Sequence, residues 1–260
     1  MDSRIQILDW DSAFFGFRTA RILPPKLGRS ELHEILENLR RDCISLAYWF
    51  AEMGDSESGA AAASNQGLLV DEKITYALDL VSGPSQAQSL KTETPGATNS
   101  SGPIHPPWEI SVLSKDRYAE VEAELLSLAL RSSTHSRFRH DPRFPTALAQ
   151  GLYREWMRKS LTGELADAIL TCEYQRGLRA MVTVKASKGQ GQIGLLACAE
   201  GYDGRGLGSA LMQASLDWFK ASGCQHARVV TQGRNRASCR VYEKSGYRPE
   251  KREAVHHFWL

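Results

Sequence analysis

Apolar positions along the chain recur with two different periods. Leu32, Ile35, Leu36, Leu39 and Cys43 share one helical face and predict a helix over 31–43, with Ser30 placed to cap it. Tyr118, Val121, Leu125 and Leu128 do the same over 116–130, and Leu148, Leu152 and Trp156 mark a further helix opened by Pro145. Short β-rich apolar runs predict strands at 18–23, 45–50, 74–80 and 108–113. Three more, at 168–174, 178–186 and 192–198, are joined by Gln175-Arg176-Gly177 and Lys188-Gly189-Gln190-Gly191, which is turn chemistry and predicts an antiparallel meander. The last of the three runs into a glycine-rich turn that opens an amphipathic helix. A strand at 227–231, a short helix from Asn235 and a final strand near 256–260 complete the series.

Two segments break the pattern. Residues 81–107 are Ser, Thr, Gly, Pro, Gln and Asn with little apolar content, which predicts a flexible linker. The stretch 54–67, carrying Ala60-Ala61-Ala62-Ala63, reads as a polar insertion. The expected organisation is a small α/β unit over 1–80, the linker, and a larger unit over 108–260. The first is too short to hold a large core alone.

Composition narrows the class. The chain has 260 residues, 42% hydrophobic and 24% charged, as in ordinary globular proteins, and its net charge of +2 implies no general affinity for nucleic acid or membranes. No apolar run is long enough to span a bilayer. Acidic and aromatic residues within the first seventeen positions are unlike a secretory leader, and the five dispersed cysteines fit reduced thiols and no metal spacing. A cytoplasmic, metal-free protein is expected.

The candidate chemistry lies between 193 and 247. The apolar run Ile193-Gly194-Leu195-Leu196-Ala197-Cys198 leads into Gly204-Arg205-Gly206-Leu207-Gly208-Ser209, three alternate glycines at a helix start. The first N–H groups of a helix lack partners and sit at the positive end of its dipole, so this turn suits phosphate. No Gly-Lys-Ser/Thr follows, which excludes a Walker A loop, and no acidic residue ends a following strand as a dinucleotide fold requires.

The combination resembles motifs A and B of the GNAT N-acetyltransferase superfamily. The matching residues are Asp203-x-x-Gly206-x-Gly208 and Asn235-x-x-Ser238-x-x-x-Tyr242-x-x-x-Gly246-Tyr247. Asp203 departs from the family, which usually has Gln or Arg there. The order of strand, two helices, three antiparallel strands, helix, strand, helix and strand is also that of the GNAT fold: α/β, or α+β, around a mixed, mostly antiparallel sheet. A narrower similarity, to the dTDP-fucosamine acetyltransferase family, rests on Trp10-Asp11-Ser12-Ala13-Phe14-Phe15-Gly16, 135–139, 193–197, Thr231-Gln232 and 235–246. That resemblance implies a degenerate GNAT-like first half, acetyl-CoA as co-substrate and a dTDP-linked amino-deoxy sugar as acceptor. It leaves room for a homodimer.

The chemistry assigns roles to the candidates. Leu196, Ala197 and Cys198 are expected to line the pantetheine arm and thioester with backbone N–H groups. Asp203, Gly204, Arg205, Gly206, Leu207, Gly208 and Ser209 are expected around the pyrophosphate, and Asn235 either contacts the cofactor or caps its helix. Tyr242 is the candidate acid for the leaving thiolate, against the alternative of a core tyrosine. His135, Arg137 and Arg139 lie in a basic-aromatic run expected to hold a nucleotide-sugar diphosphate, the alternative being a solvated loop. For the base, Glu200, Asp203, His135, His140 and a water chain stay open. An acceptor that is a small amine, an antibiotic or a protein N-terminus, or a non-catalytic acyl-CoA-binding module, also fits.

Overall fold

The computed structural model describes residues 2–81 and 108–260. Apart from Val81, the expected linker lies outside the described residues. The first unit runs β1 (Ile5–Ile7), α1 (Asp9–Phe15), β2 (Thr19–Ile22), α2 (Arg29–Arg41), β3 (Leu46–Glu52), α3 (Ser56–Ser64) and β4 (Leu68–Asp79). The second runs β5 (Ile110–Val112), α4 (Tyr118–Ser132), α5 (Arg137–His140), α6 (Thr146–Leu161), β6 (Ala168–Tyr174), β7 (Gly177–Ser187), β8 (Gln190–Cys198), α7 (Leu207–Ala221), β9 (His226–Gln232), α8 (Arg236–Lys244) and β10 (Arg248–Trp259).

The helical faces are those the periodicity predicts, except that Cys43 is exposed and lies past the end of α2 with a left-handed φ of 55°. Leu32, Ile35, Leu36 and Leu39 of α2 are buried against β2 and β3, each burial being worth about 1.5–3 kcal/mol. The cap differs from expectation. Helix α2 starts after Gly28, and the Glu31 carboxylate accepts from the Gly28 N–H at 3.1 Å, so Ser30 lies inside the helix. The stretch 54–67 is not an insertion but α3. Asp55 caps it by accepting from the Ser58 N–H at 2.9 Å, and Ala61 and Ala62 are buried in the first unit's core. Two strands are longer than their apolar runs. β10 begins at Arg248, although 248–253 read as polar, and β4 begins at Leu68.

The ten strands among the described residues form one sheet in the order β1-β2-β3-β10-β4-β9-β8-β7-β6-β5. Of their pairings, β2–β3 and β8–β9 are parallel and the others antiparallel. The two units repeat each other. β3, α3 and β4 have 7, 9 and 12 residues, and β9, α8 and β10 have 7, 9 and 12. Within the repeat Asp55 corresponds to Asn235, Ser58 to Ser238, Ala62 to Tyr242 and left-handed Gln66 to left-handed Gly246. The halves also trade strands: β10 lies between β3 and β4, and β4 between β10 and β9.

One irregularity opens the site. β8 follows β7 through the pairs Val182↔Leu196 and Val184↔Ile193, a bulge with Gly194 and Leu195 opposite the single residue Thr183. The Thr183 hydroxyl accepts from the Leu195 N–H at 2.8 Å, and a Cβ on Gly194 would lie 2.7 Å from that hydroxyl. On its other edge β8 pairs with β9 only from Gln190↔His226 to Ile193↔Val229. Beyond Ile193 the two parallel strands diverge. Helices α4 and α6 cover one face of the sheet here and α7 and α8 the other.

Candidate active site

The divergence of β8 from β9 creates a cavity of about 420 Å³ through the sheet. Gly194, Leu195 and Leu196 line it from β8, and Thr231 and Gln232 from β9. Tyr153 and Trp156 of α6 close one side, and Ser238 and Tyr242 of α8 the other. At its far end stand Asp71 and Lys73 of β4, Val255 of β10 and Arg137 of α5. Both units therefore build one site.

The β8 backbone presents polar groups to this opening. Ala199 N–H donates to Arg179 O on the β7 side at 2.7 Å, whereas Cys198 O accepts from Arg131 Nε at 2.7 Å on the other. Alternation along the strand turns the backbone groups of Leu196 and Cys198 toward the divergence and that of Ala197 toward β7. The free strand edge is the element an extended amide-bearing arm can pair with.

The glycine turn follows. Gly204 and Gly206 have φ of 73° and 84°, a left-handed backbone that side chains resist. Gly206 is the N-cap of α7 and its carbonyl accepts from Ala210 N–H, leaving the N–H groups of Leu207, Gly208 and Ser209 without intrahelical acceptors. Leu207 is buried in the core; Gly204, Arg205 and Ser209 are exposed. Gly208 has a packing reason too, since a Cβ there would lie 3.3 Å from Val241. The donor set fits a pyrophosphate and the open strand edge fits a pantetheine arm.

Asp203 is exposed and paired. Arg131 Nη2 donates to its carboxylate at 2.9 Å, and the same guanidinium reaches Cys198 O. The negative charge standing where the family usually has Gln or Arg is thus compensated by α4. Asn235 caps α8, its side chain accepting from Ser238 N–H at 3.1 Å, and it also lines the cavity. Tyr242 is buried between Tyr76 and Tyr247, with ring centroids 5.8 and 6.2 Å away, and lines the same cavity. Burial holds its phenol above the ordinary range, so it stays protonated.

The basic run divides. Arg137 lines the cavity, its guanidinium 4.6 Å from the Tyr48 ring centroid and 4.5 Å from that of Phe138, and its Nε has no hydrogen-bond partner. Arg139 is exposed and His135 half-buried, and neither lines the cavity. Of the base candidates, Glu200 is exposed, Asp203 belongs to the loop pair, and His140 is off the cavity with burial lowering its pKa.

Sequence reading missed Asp71. It is 5% exposed and lines the cavity, and its Oδ1 has no hydrogen-bond partner. Burial pushes its pKa up to about 7 against the pull of Arg137 and Arg234. The signal was available, since a carboxylate directly after buried Val70 is costly unless it has a task. The predicted strand began too late, at 74, to expose it.

In the first unit the corresponding features are closed. The Glu31 carboxylate occupies the start of α2, Trp49 Nε1 donates to Pro24 O at 2.7 Å, and Ala62 stands where the second unit has Tyr242. Among the described residues no group of three or more His, Cys, Asp or Glu is placed to hold a metal, and no helix is long and apolar enough to cross a membrane.

The comparisons agree with this geometry. Residues 131–247 match the Acetyltransferase (GNAT) family. The chain is similar to the dTDP-fucosamine acetyltransferase of Escherichia coli O6:H1 (strain CFT073), 32% identical over 138 residues, 52% of this chain and 57% of that protein. It is also similar to the spore coat polysaccharide biosynthesis protein SpsD of Bacillus subtilis (strain 168), 23% identical over 135 residues, 52% of this chain and 46% of that one. The chain thus spans about half the length of the curated relatives it matches. Among solved structures, a GCN5-related N-acetyltransferase from Sphaerobacter thermophilus superposes with a TM-score of 0.58 at 14% identity, over 98% of this chain and 75% of that one, which supports the fold. Residues 131–247 therefore match a GNAT acetyltransferase domain, and the solved structures support the GNAT fold.

Proposed function

We propose that this protein transfers an acetyl group from acetyl-CoA to the amine of a nucleotide-activated amino-deoxy sugar, the class named by its dTDP-fucosamine relative. The observation that carries the reading is the cavity that joins the diverging β8 edge to Tyr242 at one end and to Arg137 at the other. The glycine turn and the Leu196 and Cys198 backbone hold the cofactor, whose thioester supplies the acetyl group. The amine attacks directly. The Leu196 backbone N–H, just past the bulge, stabilises charge developing on the carbonyl oxygen. Tyr242 donates its phenolic proton to the departing sulfur. Arg137, with His135 and Arg139 beside it in the chain, holds the acceptor's diphosphate, for which a planar guanidinium is suited.

The test is thiol release from acetyl-CoA against a panel of dTDP- and UDP-linked amino sugars, with free amino sugars, polyamines and peptides as controls. The nucleotide-linked sugars should be turned over with kcat/KM at least tenfold above the same sugars without nucleotide. Equal rates on linked and free sugars would remove the diphosphate site and favour a small-amine acceptor. Binding of acetyl-CoA with no turnover of any amine would favour a non-catalytic module.

A further inference from the structure

An amino sugar carries an ammonium near neutral pH, so a proton must leave nitrogen before it can attack. The acidic groups near the glycine turn are poorly placed for this. Asp203 is engaged by Arg131, and Glu200 is exposed and outside the cavity lining. Glu164 lines the cavity but is exposed and held by Lys159 and the Thr162 hydroxyl. Lys73, also in the lining, is neutralised by Glu253 at 2.8 Å.

Asp71 differs in each respect. It is the buried acid among the described residues that line the cavity. It sits on β4 opposite Val255, next to the register shift between Val255 and His256. A buried carboxylate oxygen without a partner is costly and is retained where something is meant to occupy it. Resting on the acetyl-transfer reading above, we infer that Asp71 is the general base, and that the first unit thereby contributes a catalytic residue to the second unit's site.

The step balances. The Asp71 carboxylate takes one proton from the acceptor ammonium, directly or through one water, and later releases it to solvent. The freed nitrogen lone pair forms the C–N bond at the thioester carbonyl. As the C–S bond breaks, the Tyr242 proton goes to sulfur, and the second proton leaving nitrogen restores the phenol. Acetamide, thiol and one proton result.

The charged groups facing Asp71 set its working range. Burial, the largest influence, and the Glu72 side-chain charge oppose the carboxylate; Arg137 of α5, Arg234 from the turn before α8 and the Glu72 backbone N–H favour it, and Tyr153 of α6 faces it as a neutral phenol. The resulting value of about 7 lets the group accept a proton near neutrality and pass it on.

The experiment compares wild type, Asp71→Asn and Asp71→Glu on dTDP-4-amino-4,6-dideoxygalactose, with kcat/KM measured from pH 5.5 to 9.5 and acetyl-CoA affinity by calorimetry. Wild type should rise through an inflection near pH 7. Asp71→Asn should lose that inflection and about a hundredfold or more of activity at pH 7. Its deficit should shrink as the amine itself deprotonates at high pH, and acetyl-CoA affinity should stay within twofold. Asp71→Glu, which keeps a carboxylate, should retain an inflection and lose less; it and the wild-type profile decide the matter if Asp71→Asn does not fold. An Asp71→Asn profile parallel to wild type, or a wild-type profile with no inflection between 6 and 8, would overturn the role while leaving acetyl transfer intact. No thiol release by wild type with any amine in the panel would remove the acetyl-transfer reading, and Asp71's role with it.

Discussion

Replacing Tyr242 by Phe isolates the acid. The ring keeps its packing against Tyr76 and Tyr247, and only a hydroxyl facing the cavity is lost. The structural cost is the contact with Ser238, about 1 kcal/mol. The catalytic cost is much larger. An aligned acid contributes about 10²–10⁴ in rate, or roughly 3–5 kcal/mol of barrier. Because burial holds the phenol above its ordinary pKa, it remains a proton donor throughout pH 6–9, so the loss in kcat should be similar across that range. The assay is steady-state thiol release, with a pre-steady-state trace showing no burst, so that chemistry limits turnover. Acetyl-CoA affinity should be close to wild type, and the melting temperature should fall by no more than a few degrees. A Tyr242→Phe enzyme with undiminished kcat under those conditions would refute the assignment and leave Tyr242 as a packing residue.

Three further outcomes are expected. Gly206→Val places a β-branched residue at φ 84°, where a Cβ meets open space beside the unpaired N–H groups, so calorimetry should show acetyl-CoA affinity reduced at least tenfold in a folded protein. Arg137→Ala should raise KM for a nucleotide-linked amino sugar about tenfold or more and spare acetyl-CoA, whereas Arg139→Ala, exposed outside the cavity lining, should do less; equal effects would relocate the diphosphate. Asp141 accepts from His257 Nδ1 at 2.7 Å, Trp259 Nε1 at 2.8 Å and Arg143 N–H at 2.9 Å, so Asp141→Ala strands three donors and should cost about 3 kcal/mol or more in denaturant unfolding.

The site was legible where its chemistry is local. Glycines at a helix start, a strand running into them, and Asn235 and Tyr242 at fixed steps on α8 are short-range patterns, and the structure gathers them around one opening. What escaped was long-range or half-buried. The six residues from Arg248 to Glu253 are strand because they pair with Lys73 to Ala77, and the start of β4 is strand because it pairs with Ala254 to His257, which apolar periodicity cannot report. The alanine-rich stretch lacks an amphipathic signal, and its helix is set by the Asp55 cap and by packing. Asp71 was missed for the same reason as its strand. The splitting of 135–139 between cavity and solvent follows from a four-residue helix that turns Arg137 inward over Tyr48 and leaves Arg139 outward.

The exchange of strands between the halves has a consequence for how the chain can be made. β10 is the middle strand of the first half's β3–β10–β4 ladder, and it is synthesised long after both neighbours. A nascent chain bearing β1 to β4 therefore has β3 with one open edge and β4 with neither of its neighbours. Folding unit by unit during synthesis cannot complete that half of the sheet. Both halves should reach their final stability in a single late event, when β10 inserts, and until then the nascent chain presents open strand edges as targets for chaperones or for pairing with another copy.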